Sequence, residues 1–200
     1  SVEKSMEKLK TDYLDLVLLH QPFSDYYGAW RALEELYDEG KIRAIGISNF
    51  YADRMIDMAA FNRVKPMVNQ METHIYNQQK DLKSWADKYR VALEAWGPFG
   101  EGRDGIFEDI TVKEIADKYQ KTPAQVILRW NIQRGVVVIP KSVRKERMQE
   151  NFDVFDFALS DADMEKIAAL DKNKSAFFSH SDPNTVEWFT DMIVKRRGKE

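Results

Sequence analysis

The sequence contains no cysteine. That removes a disulfide framework, a thiol nucleophile and the commonest ligand of structural zinc, and a reducing, cytoplasmic setting is expected. Long apolar runs are lacking too. No stretch approaches the ~20 residues of a membrane-spanning helix, and the opening Ser-Val-Glu-Lys-Ser-Met has no apolar leader core. A soluble protein without a membrane partner is expected. No one sign of charge dominates: 30 Lys and Arg against 33 Asp and Glu leave a net charge of -3, which argues against a general nucleic-acid binder. No Gly-x-Gly-x-x-Gly follows the first strand pattern, which counts against a Rossmann nucleotide fold. His74 has no second ligand at metal spacing, so no metal is expected and His74 reads as a surface or rim residue. The chain also lacks an initiator Met, and Val2, Met6 and Leu9 already stand at helical spacing, so the natural product is expected to begin further upstream.

What is present is alternation. Leu14 to Leu19 is a near-continuous apolar run that stops at His20-Gln21-Pro22, as a buried strand would. Trp30, Leu33, Leu36 and Tyr37 then recur at helical spacing over Tyr27 to Glu39, with Gly40 as the stop. The pattern repeats as a strand over Ile42 to Ile47 and a helix over Asp53 to Phe61. It repeats again as a strand over Met67 to Gln70 and a helix over Gln79 to Tyr89. A strand over Val91 to Trp96 runs into the loop Gly97-Pro98-Phe99-Gly100, and helices follow over Ile110 to Tyr119 and Ala124 to Gln133, the second opened by Thr122-Pro123. Val136 to Ile139 is the last strand, and a capped helix starts at Ser160 with Asp163 three residues on.

About five βα units in strict alternation specify an α/β fold with a parallel sheet, because each parallel connection needs a crossover helix. The candidates are an open doubly wound sheet and part of a (β/α)8 barrel. Every predicted strand ends in chemically useful groups, namely His20, Ser48 with Asn49, Gln70, Trp96, and Lys141 with Ser142. In a barrel such ends converge on one mouth, which favours the barrel. The last of them is the most pointed. After Val136 to Ile139 come Lys141, Ser142, Arg144, Lys145 and Arg147, with a helical pattern behind, so strand end, basic side chains and helix N-terminus together suit an anion such as phosphate. A solvated basic turn is the bland alternative.

At this point the residues resemble the aldo-keto reductase family, over essentially the whole chain. Leu18-Leu19-His20-Gln21-Pro22 is similar to the segment that carries the family's active-site histidine, which makes His20 the expected catalytic residue. Gly40 to Phe50, reading Gly-Lys-Ile-Arg-Ala-Ile-Gly-Ile-Ser-Asn-Phe, resembles the motif that binds the nicotinamide carboxamide. With Gln70 it implies Ser48, Asn49 and Gln70 as cofactor ligands. The resemblance further implies that Trp96 stacks on the nicotinamide, with Gly97, Pro98 and Phe99 beside the cofactor. Trp96 stands where many members carry tyrosine, and this points to the bacterial, small-aldehyde branch. Ile139-Pro140-Lys141-Ser142-Val143, with Arg144, Arg147, Glu150 and Asn151 behind, resembles the segment that holds the 2'-phosphate and adenine of NADPH. The implied cofactor is therefore NADPH/NADP. Phe23, Phe177 and Phe178 are implied as substrate-binding, Trp188 as a further candidate, and residues 173–200, with His180, as a C-terminal loop and tail over the substrate mouth. The basic run Lys195 to Lys199 is read as a solvated tail.

The implied activity is reduction of a small-molecule aldehyde or ketone by hydride from NADPH, with no nucleic acid and no membrane involved. The family's tyrosine, aspartate and lysine belong to strands before the first one seen here. The chain thus matches about strands 4 to 8 of the barrel, with the N-terminal third missing. Alone it is expected to be inactive, with either another chain or that missing segment completing the barrel. The alternative from a different class is a truncated, inactive homologue that serves as a nucleotide-binding or self-assembling module.

Overall fold

The computed structural model describes residues 2–197. Its centre is a sheet of five parallel strands, β1 (Val17–Leu19), β2 (Ile45–Ser48), β3 (Val68–Glu72), β4 (Ala92–Trp96) and β5 (Val136–Val138), hydrogen-bonded in the order β1-β2-β3-β4-β5. The register pairs Val17 with Ile45, Ile47 with Asn69, Val68 with Ala92 and Leu93 with Val136. Chain order and spatial order coincide. A doubly wound sheet reverses its strand order at a switch point, whereas consecutive βα units of a barrel do not, so the topology selects the partial (β/α)8 arrangement.

The helices are α1 (Val2–Leu9), α2 (Tyr26–Asp38), α3 (Ala52–Phe61), α4 (Lys80–Tyr89), α5 (Ile110–Tyr119), α6 (Pro123–Gln133), α7 (Lys145–Phe152), α8 (Asp161–Ala168) and α9 (Pro183–Arg197). Their starts follow from local chemistry. Asp25 accepts from the Gly28 amide to begin α2, and Thr122 and Gln125 form a reciprocal capping box with Pro123 in the first turn of α6. Ser160 accepts from the Asp163 amide to begin α8. The strand expected from Leu14 is shorter than the apolar run, because Leu14 makes only an isolated bridge to Ile42 and the ladder proper begins at Val17. The segment expected as loop and tail differs more. After Asp182 the chain is helical through Arg197, started by Asp182 accepting from the Thr185 amide with Pro183 at the first position. Of the basic run, Gly198 and Lys199 lie outside the described residues.

The core has two parts. Ile45 and Ile47 of β2, Met71 of β3 and Leu93 of β4 pack with Trp30, Phe50, Met55 and Met58 under α2 and α3. A second cluster of Ile75, Ile106, Val112, Ile115, Val126, Ile127, Trp130 and Ile167 lies between α5, α6 and α8. Trp30 also donates to the Val64 carbonyl (3.0 Å) and Glu34 accepts from the Val64 amide (2.6 Å), so α2 fixes the approach to β3 as well as packing on the sheet. Gly46 is required where it stands: a Cβ there would lie 2.6 Å from Leu18 Cδ2 and 2.7 Å from the Val68 carbonyl oxygen. Among the described residues, β1 and β5 each have one side without a strand neighbour.

Candidate functional site

Because the strands are parallel, their C-terminal residues reach the same rim. There the polar side chains bind one another. Asn49 follows β2 in the left-handed conformation (φ 66°), which asparagine tolerates better than most residues. Its side-chain amide donates to the His20 carbonyl (3.0 Å) and to Ser48 Oγ (3.1 Å), while its Oδ1 accepts from Trp96 Nε1 (2.8 Å). Ser48 donates to the Gln70 carbonyl (3.1 Å), and the Asn49 amide N–H donates there too (2.9 Å). Gln70 in turn donates to Glu94. The ends of β1, β2, β3 and β4 are thus stitched through Asn49, Ser48 and Gln70, and both side-chain N–H donors of Asn49 are taken by protein partners.

The arrangement fixes two groups of the expected site. The Trp96 indole is held by its N–H, and one neighbour of its ring is Phe177, with centroids 5.1 Å apart. His20 is anchored through its backbone carbonyl and leaves its imidazole exposed at the mouth. Gly97 turns the chain after β4 with φ 59°, and Pro98 is buried. The Phe99 ring, expected beside the cofactor, packs on Phe107 (5.3 Å) and against the second core cluster.

At the end of β5 the segment expected to meet an anion runs from the strand into α7. Lys141, Val143, Arg144 and Arg147 are exposed, while Ser142 and Asn151 are half-buried. Ser142 Oγ accepts from the Arg144 amide (3.2 Å), and no side chain caps α7, which leaves its first amides open toward the basic side chains. Glu150 is differently disposed. Its Oε1 accepts from Thr122 Oγ1 (2.5 Å), tying α7 to the start of α6.

The segment from Ser175 to His180 lies across the rim and divides the expected substrate aromatics. Phe177 goes to Trp96, whereas Phe23 and Phe178 flank the His180 ring at 5.9 and 5.1 Å, with Phe189 of α9 at 5.9 Å. Burial pushes the His180 imidazole down to about 4. Trp188, also expected at the pocket, is 57% exposed on α9 with its ring against Phe189.

His74, expected at the surface or rim, is fully buried. Its Nδ1 accepts from the Tyr76 amide (3.3 Å), so Nε2 carries the proton and donates to Glu72 Oε1 (2.9 Å). Ser175 Oγ and the Ala176 amide donate to the same carboxylate at 2.5 and 2.8 Å. Burial alone would raise the Glu72 carboxyl, but the hydrogen bonds from His74, Ser175 and Ala176 outweigh it and hold the group below the usual carboxylate range. Sequence reasoning passed over Glu72. The available signal was Glu-Thr-His at a strand end, where positions two apart share a face.

Comparisons with known proteins show what the chain as a whole is similar to. A sequence model of the aldo/keto reductase family matches residues 1–104 and 107–172. Glyoxal reductase of Bacillus subtilis is 49% identical over 173 residues, covering 86% of this chain and 62% of the relative. Methylglyoxal reductase DkgA of Escherichia coli is 42% identical over 176 residues, covering 85% of this chain and 63% of the relative. The chain therefore spans a little under two thirds of the curated relatives it matches. Among solved structures, MGS-M4, an aldo-keto reductase from a Medee basin deep-sea metagenome library, superimposes with a TM-score of 0.86 at 39% identity, covering 90% of this chain and 68% of that one. An aldo-keto reductase of Bombyx mori in complex with NADP gives 0.83 at 32% identity, covering 88% and 64%.

Proposed function

Because the chain belongs to the aldo-keto reductase family, we propose that it is the cofactor-binding and histidine-bearing part of a reductase that converts small aldehydes or ketones to alcohols with NADPH. The observation that carries this reading is the Trp96–Asn49–His20 bridge. A single buried amide fixes the indole that would lie against the nicotinamide and the backbone of the histidine that would meet the carbonyl. The indole and the backbone that carries the histidine are thereby held relative to each other before any ligand arrives.

The residues suit the dinucleotide phosphate. Lys141, Ser142 and Arg147, with Val143 and Arg144 in the same exposed turn, stand at an uncapped helix start, and such a site favours a phosphate dianion that NAD lacks. Ser48, Asn49 and Gln70 would meet the carboxamide, and Glu150 and Asn151 would lie toward the adenine. When bound, NADPH supplies the hydride. The chain's own contribution is orientation. His20 donates a hydrogen bond to the substrate carbonyl oxygen and polarises it, while Phe23, Phe177 and Phe178 shape an apolar wall suited to a short carbon chain. The names of the relatives favour glyoxal-like and methylglyoxal-like substrates. No residue among the 200 is assigned as the acid that protonates the developing alkoxide, so these residues alone should not turn over.

The test is NADPH oxidation with methylglyoxal by the full-length protein, alongside NADPH binding followed by tryptophan fluorescence. Turnover with NADPH well above that with NADH supports the reading. Binding without oxidation across small aldehydes and ketones would replace it with a nucleotide-binding module.

A further inference from the structure

The Ala176 peptide is held at both ends by charged side chains from different strand ends. Its N–H donates to Glu72 at the end of β3 (2.8 Å). Its carbonyl accepts from Arg103 Nη1 (3.0 Å), in the 3-10 segment Gly100–Gly105 that follows β4. Ser175 Oγ donates to the other Glu72 oxygen and accepts from the Phe177 amide (3.0 Å), so the carboxylate reaches Phe177 through one intervening hydroxyl. The Arg103 guanidinium lies 4.3 Å over the Phe177 ring, which itself rests on Trp96. At the far side the Tyr51 hydroxyl pairs with Ser179 Oγ and accepts from the His180 amide.

We propose that Glu72 is a positioning residue, which docks the Ser175–His180 segment and thereby keeps Phe177 against Trp96 as the wall that selects the substrate. The proposal rests on the reductase reading for the word substrate, but the docking itself does not. Burial and docking depend on each other. Glu72 is only 4% exposed, and of its three donors two come from the segment, so release of the segment would exchange two short charge-assisted hydrogen bonds for water and leave His74 as its one remaining side-chain donor. The loss of those two bonds opposes release, which makes the segment behave as a fixed wall. The interaction also spans 103 and 104 residues of sequence, so nothing local to the segment could supply it.

The experiment compares wild-type full-length protein with Glu72→Gln, Ser175→Ala and Ser175→Thr by hydrogen exchange of residues 175–180 without ligand, and then by kinetics. Glu72→Gln should raise exchange of the Ala176 and Phe177 amides about tenfold, Ser175→Ala should raise it several-fold, and Ser175→Thr should restore protection, while exchange in the β2 and β3 ladders stays unchanged. In kinetics, KM for the aldehyde should rise about fivefold to tenfold in Glu72→Gln while the Kd for NADPH stays within about twofold. Unchanged exchange at 175–180 in either folded variant overturns the proposal, and Ser175→Ala, a half-buried side chain outside both core clusters, decides it if Glu72→Gln does not fold. Equal losses in KM and NADPH Kd would also overturn it, since they would mark a general loosening of the rim. Raised exchange in a wild-type background that never oxidises NADPH would sustain the docking and sink the reductase reading instead.

Discussion

His180 offers the sharpest quantitative test of the rim. Its ring sits among Phe23, Tyr51, Phe178 and Phe189, it is 4% exposed, and its Nε2 is buried without a hydrogen-bond partner. The folded protein therefore holds it neutral, with a pKa pushed down by burial to about 4, against about 6.5 for an unfolded histidine. As pH falls below 6.5 the unfolded chain takes up a proton that the folded chain refuses, so stability is fully present above that value and declines as pH drops toward 4. The slope cannot exceed about 1.4 kcal/mol per pH unit, and the whole gap would amount to about 3 kcal/mol. Solvent at the edge of the aromatic pocket screens part of this, leaving about 1–2 kcal/mol. Urea denaturation of wild type and His180→Leu at roughly pH 7 and pH 4.5 measures it, because carboxylates common to both proteins cancel in the difference. The variant should gain that amount relative to wild type on going to the lower pH. Parallel stability profiles would refute the reasoning and show that the ring accepts a proton in place.

Replacing Lys141 and Arg147 together with alanine should weaken NADPH binding by about tenfold to a hundredfold and leave NADH nearly unchanged, as read by fluorescence titration. An equal loss for both nucleotides would move the phosphate contact elsewhere. Asn49→Ala removes the bonds to His20, Ser48 and Trp96 and places alanine at φ 66°, so it should cost about 2–4 kcal/mol and alter the near-ultraviolet dichroism of Trp96. An unchanged aromatic spectrum would count against the bridge. Gly46→Ala should cost about 1–3 kcal/mol by overpacking against the Val68 backbone and the Leu18 side chain, visible as a lower urea midpoint at unchanged slope, and an unaltered midpoint would contradict the register of β1, β2 and β3.

The strands and most helices were legible in the sequence because their signals are local. Apolar runs ending in His20, Asn49, Gln70 and Trp96 declare strands, although the first of them, Val17–Leu19, is half-buried rather than buried, and Thr122-Pro123 and Ser160 declare helix starts. The start of α9 was legible in principle. Asp182-Pro183 is a cap followed by proline at the first turn, the same kind of signal as Thr122-Pro123. Glu-Thr-His at a strand end could have paired Glu72 with His74, but the other donors to the carboxylate lie more than 100 residues away, and no periodicity spans that distance. Glu150 shows the converse limit. Its place in a motif suggested an outward-facing reader of adenine, while the fold also gives it Thr122 as a partner.

The strand register carries a consequence for how the molecule assembles. Paired positions are 28 residues apart between β1 and β2 (17 to 45), 22 between β2 and β3 (47 to 69) and 24 between β3 and β4 (68 to 92), but 43 between β4 and β5 (93 to 136). Loop closure grows costlier with span, and parallel pairing yields nothing until the crossover is complete. Sheet growth should therefore run outward from β2, β3 and β4, with the attachment of β5 as the slow final step, and pulse-labelled exchange should find Val136–Val138 protected last. The proposed nicotinamide shelf at Trp96 would then mature before the proposed phosphate site beyond β5, and a refolding molecule would pass through a state able to hold one end of a dinucleotide but not the other.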